Sequence, residues 1–133
     1  MISRKRLIGL KFVLSVGAFY YFMGAIAHYA GLTLFPWFDR SLYTPYHDSL
    51  IAVASFVIAL FLTMIAKNPV RNRDMIKVVI AGAILASIFS LGIIWKIDFI
   101  AIGAGAKKTQ TIFEGILGFI FAGVLLWLYP KTR

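Results

Sequence analysis

The chemistry open to this chain is narrow. Its 133 residues hold five carboxylates, two histidines and no cysteine. Without cysteine there is no disulfide exchange, no thiolate nucleophile and no sulfur-ligated metal. Three of the remaining groups, His28, Asp48 and Glu114, fall inside or at the edge of long apolar stretches. An ionisable side chain is costly there and tends to be functional. One imidazole and two carboxylates make a donor set for a divalent cation, although their long spacing leaves the fold to bring them together. Haem held by two histidines would need His28 and His47 to face one another. The chain contains no phosphate-binding loop, nucleophile elbow or zinc-protease motif.

Each of these residues also has an ordinary use. Glu114 follows Thr111 by three positions, the spacing of a capping box. Asp48 falls in the first turn expected of a helix, where the dipole favours a carboxylate. His47, beside Tyr46, suits a membrane interface. His28 has no capping role, and its ordinary use is a hydrogen bond between helices.

The elements that must position these groups are four apolar segments, running from about Leu7 to Leu34, Pro45 to Ala66, Met75 to Ile97 and Ile112 to Tyr129. Each reaches or approaches the roughly 20 residues that cross a hydrocarbon core of about 30 Å. The segments are continuous rather than alternating, so they predict helices and not barrel strands. The chain is 61% hydrophobic and only 14% charged, whereas soluble domains run near 25% charged. That excludes a soluble enzyme, a disordered tail and a nucleic-acid-binding module. The net charge of +9 is the excess that anchors and orients helices in an anionic bilayer. The first segment follows Arg4-Lys5-Arg6 but is too long for a signal-peptide core, so it is expected to be retained.

Basic residues are unevenly shared between the two ends. Arg4, Lys5, Arg6, Lys11, Lys67, Arg71, Arg73, Lys77, Lys131 and Arg133 fall on one side, and Arg40, Lys96, Lys107 and Lys108 on the other. By the positive-inside rule both termini are cytoplasmic. Trp37, Tyr43 and Tyr46 mark the outer interface, with Trp95 near it, and Trp127 and Tyr129 mark the inner one. Thr44-Pro45 reads as an N-cap followed by proline at the first helical position. Pro36 and Pro130 are expected to stop the first and last helices, and Asn68-Pro69 to close the second. The stretch from Phe99 to Ala106 is too short to span and should lie at the outer interface or fold back on the helices.

Helix association in lipid relies on close approach through small residues. Gly17, Gly24 and Gly31 recur every seven residues on the first helix. Ala52, Ser55 and Ala59 mark a face on the second, Gly82, Ala86 and Ser90 on the third, and Gly118 and Ala122 on the fourth. The expected fold is therefore all-α, a single integral-membrane four-helix bundle. His28 and Tyr21 share the first seam, Asp48 precedes Ala52 by four, and Glu114 precedes Gly118 by four, so all should turn inward. On the expected boundaries His28 lies roughly 10 Å from the outer end of its helix, and Asp48 and Glu114 roughly 5 Å from theirs. The three are expected to converge in a polar pocket on the extracytoplasmic side, partnered by one another, by Lys96 or Lys107, by a cation or by helix ends.

The four short helices, and a first helix leading into Phe35-Pro36-Trp37-Phe38, resemble the DoxX-like group of small membrane proteins. Tyr46-His47-Asp48-Ser49-Leu50-Ile51 stands where that group begins its second helix. Where the group commonly has a basic residue and paired glycines, this chain has Asp48-Ser49-Leu50. The resemblance implies a link to quinone-coupled or oxidative-stress chemistry but carries over no functional residue.

The expected function is that of a multi-pass protein of the cell membrane. Abundant packing seams and no recognisable catalytic apparatus favour a non-enzymatic accessory subunit or a homo-oligomer. The alternatives are a metal, quinone or haem-binding protein that uses the outer His/Asp/Glu pocket, and a small transporter. The latter would not be a four-helix multidrug antiporter, because residues 12–27 carry no carboxylate.

Overall fold

The computed structural model describes residues 3–34 and 38–130. Pro36 and Trp37, along with Lys131 and Arg133, lie outside the described residues. Four helices account for most of the rest: α1 (Arg4–Ala30), α2 (Pro45–Lys67), α3 (Arg73–Ile93) and α4 (Gly105–Leu128). They are 21 to 27 residues long, or roughly 31–40 Å at about 1.5 Å per residue. All four are long and apolar enough to cross a membrane. Their outward side chains are large and apolar, among them Phe12, Phe19, Val53, Leu60, Phe89 and Trp127. Such a surface is satisfied by lipid and not by water.

Local chemistry sets the ends. Ser3 caps α1, its hydroxyl accepting from the Arg6 amide at 3.4 Å. At its other end α1 stops at Ala30, before Pro36. Gly31 takes the left-handed conformation (φ 61°) and its amide turns back to the Ala27 carbonyl, a C-terminal cap that glycine adopts without steric cost. Tyr43 packs against the bare face of Gly31, so an added Cβ would meet its ring at 3.0 Å. Proline begins α2, as expected. The Thr44 side chain makes no capping bond; the Asp48 carboxylate instead accepts the Thr44 amide at 2.7 Å. Asn68 closes α2, its side chain accepting from the Arg71 amide at 3.2 Å.

Besides the end of α1, which falls short of Leu34, two further expected boundaries move. α3 ends at Ile93 and passes into turns before Ile97. α4 begins at Gly105 rather than near Ile112, about two turns early. The capping box at Thr111 and Glu114 therefore does not form: Thr111 is inside the helix, its hydroxyl donating to the Lys107 carbonyl at 2.8 Å. The connection before α4 folds back through Phe99 and Ala104, both buried, and the Ala104 amide donates to the Phe99 carbonyl at 2.7 Å.

The helices pair as two hairpins. α1 packs along α2, α3 along α4, and α1 and α4 join the pairs. One apolar cluster draws on all four: Leu10 and Leu14 from α1, Leu62 and Ile65 from α2, Ile76 and Ile80 from α3, Ala122 and Leu125 from α4. Every one of these lies toward the end that carries the chain termini. The opposite end holds two buried polar groups, Asp48 and Gln110.

Small residues set the close approaches, with one change of face. Gly17 admits Phe121 and Leu62, and Gly118 admits Ser87. Ala52 and Ala59 are buried as expected. On α3, however, the face toward α4 is formed by Ala83 and Ser87, while Gly82 and Ala86 point outward. Gly24 likewise has nothing within 4 Å of an added Cβ.

Candidate functional site

The polar end is built in two levels. The first is an imidazole–carboxylate pair. His28 sits two residues before the end of α1 and Asp48 in the first turn of α2. The antiparallel α1–α2 packing brings His28 Nδ1 to 2.6 Å from Asp48 Oδ1. The other carboxylate oxygen, Oδ2, accepts the Thr44 amide, so the backbone of the helix start fixes the carboxylate. A carboxylate only accepts, so the pair places a proton on Nδ1, and in the neutral ring Nε2 is then the acceptor. Among the described residues no side chain or backbone group bonds to Nε2. Asp48 is buried and His28 keeps 18% of its side chain exposed. The edge of the imidazole meets Phe38, centroid to centroid 4.4 Å and 69° between planes.

The second level is deeper and centres on Glu114. Because α4 starts at Gly105, Glu114 is nine residues into the helix, roughly 14 Å from its start. Tyr20 is ten residues from the end of α1, roughly 15 Å in, and so meets Glu114 at the same height. The Tyr20 hydroxyl donates to Glu114 Oε1 at 3.0 Å, and Gln110, one turn above, donates to the same oxygen at 2.9 Å. Tyr20 also stands edge-on to Tyr21, centroids 5.7 Å apart.

The α1–α2 connection links the levels. The Asp39 amide donates to Gln110 Oε1 at 2.7 Å, and Lys107 Nζ donates to the Asp39 carbonyl at 3.2 Å. The same ammonium lies 4.7 Å from the centroid of the Phe38 ring, within cation–π range. Phe38 thus touches both His28 and Lys107. Asp39 itself, in the loop, accepts from both the hydroxyl and the amide of Ser41. The Ser41 hydroxyl chiefly, with the Ser41 amide and the nearby Lys107 charge, holds its carboxyl below the usual range.

The expected trio is therefore divided. His28 and Asp48 meet directly, whereas Glu114 is engaged by Tyr20 and Gln110 on the deeper level. The expectation of a common depth fails because both helix ends were displaced: α1 stops short of Leu34 and α4 starts early. Among the described residues no three His, Asp or Glu side chains gather as a group able to hold a metal ion. His47 is exposed, with Thr44 Oγ1 3.2 Å from its Nδ1 and the Tyr46 ring edge-on at 5.4 Å. Lys107 was an expected partner and joins the network; among the described residues Lys96 makes no bond to it. Tyr20 and Gln110 were not anticipated. Tyr20 lies one residue from Tyr21, off the glycine seam, and Gln110 fell in a stretch read as loop.

No family model matches the chain, and no match was found among curated proteins or solved structures, so the DoxX-like resemblance extends to no family assignment.

Proposed function

We propose that this chain is a multi-pass protein of the cell membrane, with both termini cytoplasmic, that binds a lipid-soluble ligand at its outer end through His28. The observation that supports this reading is the His28–Asp48 pair, with Nε2 left without a partner among the described residues. A carboxylate that holds one imidazole nitrogen orients the ring and fixes which nitrogen faces a ligand. A quinol hydroxyl is a donor suited to such an acceptor, and the protonated ring would serve a quinone carbonyl. Phe38, buried edge-on against the imidazole, fixes the ring from the protein side. Joint metal binding by His28, Asp48 and Glu114 would require Glu114 to leave Tyr20 and Gln110. Purification in mild detergent, followed by solvent extraction and chromatography, tests the quinone reading. A quinone retained by the native protein and lost in His28→Ala, at unchanged helicity, is the expected result. Native protein free of quinone, or an H28A variant that keeps it, contradicts the reading.

A second reading, an accessory subunit or homo-oligomer, is favoured by a different observation. Gly82 and Ala86 lie one turn apart on the outward face of α3, and nothing stands within 4 Å of a Cβ added at Gly82. Small residues one turn apart allow another helix to approach closely. In the same purification, a stoichiometric second chain or a dimer lost on Gly82→Leu would support it; a monomeric, partner-free chain would not.

A further inference from the structure

We propose that the connection between α3 and α4 holds the headgroup of an anionic phospholipid, with Lys96 and Lys108 on its phosphate. This rests on observations separate from His28. An open cleft of about 400 Å³ lies at this connection, lined by Trp95, Lys96, Ile97, Phe99 and Lys108, with Asp98. The two ammonium groups come from opposite ends of the connection, one just after α3 and one in the first turn of α4. Among the described residues neither forms an ion pair; the pairs present are His28–Asp48 and Asp74–Lys77. Asp98, the only carboxylate lining the cleft, is partly spent on the loop: its Oδ1 accepts the Ile100 and Ala101 amides, each at 3.1 Å. The cleft thus carries a net positive charge.

Its surroundings select a lipid over a free anion. Trp95 is 89% exposed, and Ile100 and Ile102 also project outward from the same loop. Large apolar side chains on a turn beside two lysines match the membrane interface, where indole sits at headgroup depth and lysine reaches for phosphate. The loop is also pinned: Phe99 and Ala104 are buried beneath it. A pinned loop presents its two lysines without a large ordering cost on binding. A phosphodiester with glycerol and acyl chains would place its phosphate between the ammonium groups and lay its chains beside Trp95 and the outer face of α3.

Native mass spectrometry of the full chain from mild detergent, with phosphatidylglycerol or phosphatidylcholine added at equal concentration, tests this. Phosphatidylglycerol should be retained preferentially, and Lys96→Gln with Lys108→Gln should weaken retention about fivefold per lysine. Lys5→Gln, at the far end of the molecule, is expected to leave it unchanged. Circular dichroism of each variant checks that the helices persist, and the single variants serve if the double one unfolds. Equal retention of the two lipids, or undiminished retention in both lysine variants, overturns the proposal. Displacement of the lipid by millimolar inorganic phosphate would make this a free-anion site and overturn the lipid assignment.

Discussion

Asp48 and Glu114 are each held by two donors, and the donors differ in kind. Asp48 takes one bond from the backbone of its own helix start and one from His28 across the helix interface. Glu114 takes both bonds from side chains, Tyr20 and Gln110, on one oxygen. Removing one donor and removing the shared acceptor should therefore have unequal effects. Tyr20→Phe leaves Glu114 its Gln110 bond and should cost about 0.5–1.5 kcal/mol. Glu114→Ala strands both Tyr20 and Gln110 and should cost about 1–3 kcal/mol or more. Thermal unfolding in detergent measures both; equal small effects would mean that the deeper level is not a network. At Asp39 the direction with pH follows from the Ser41 bonds. The folded carboxyl is held below its usual value, so its contribution to the loop is complete above about pH 4 and is lost as the pH falls further. The carboxyl carbon shift of Asp39 should titrate with a midpoint below that of an unstructured aspartate.

At the scale of the helices, four spans could be read from hydrophobicity because lipid demands apolar side chains over a fixed length. The start of α4 could not. Gly103, Gly105 and the Lys107-Lys108 pair have the composition of a loop, and no N-capping side chain announces the helix. That displacement moved Glu114 away from His28 and toward Tyr20. The His28–Asp48 half of the site was legible chiefly from Asp48, one turn before the buried Ala52 on α2; the seam through Gly24 was a poorer guide to His28, since Gly24 meets nothing within 4 Å. The packing face of α3 was ambiguous for a different reason. Small residues occupy adjacent positions twice, at Gly82-Ala83 and at Ala86-Ser87, which makes two faces roughly 100° apart. Contact with α4, Ser87 on Gly118 and Leu91 on Gly115, selects the second. This selection has a measurable consequence. A Cβ at Gly118 would fall well inside contact distance of the buried Ser87 hydroxyl, which has no hydrogen-bond partner among the described residues, whereas Ser87 Cβ would be 3.5 Å away. Gly118→Ala should destabilise by about 1–3 kcal/mol, and adding Ser87→Ala should recover most of the loss. Gly24→Ala, with open space around it, is expected to be neutral. An equal cost at Gly24 and Gly118 would contradict the assigned face.

For the whole molecule the division of labour runs along the helix axes. The apolar core occupies the end that carries the termini and most of the basic residues. The hydrogen-bonded levels, the His28–Asp48 pair and the cleft at Lys96 and Lys108 occupy the other. Both proposals on ligand binding depend on four complete crossings, which place the polar groups together on one side of the membrane. The chain has no cysteine, so single cysteines introduced at Ser3, Thr44, Asn72 and Thr109 report the start of α1, the α1–α2 and α2–α3 connections and the first turns of α4 without background. In intact cells an impermeant maleimide is expected to label the Thr44 and Thr109 positions, and to reach the Ser3 and Asn72 positions only after lysis. Labelling of the Ser3 and Asn72 positions from outside, or of Thr44 and Thr109 on opposite sides of the membrane, would contradict the account.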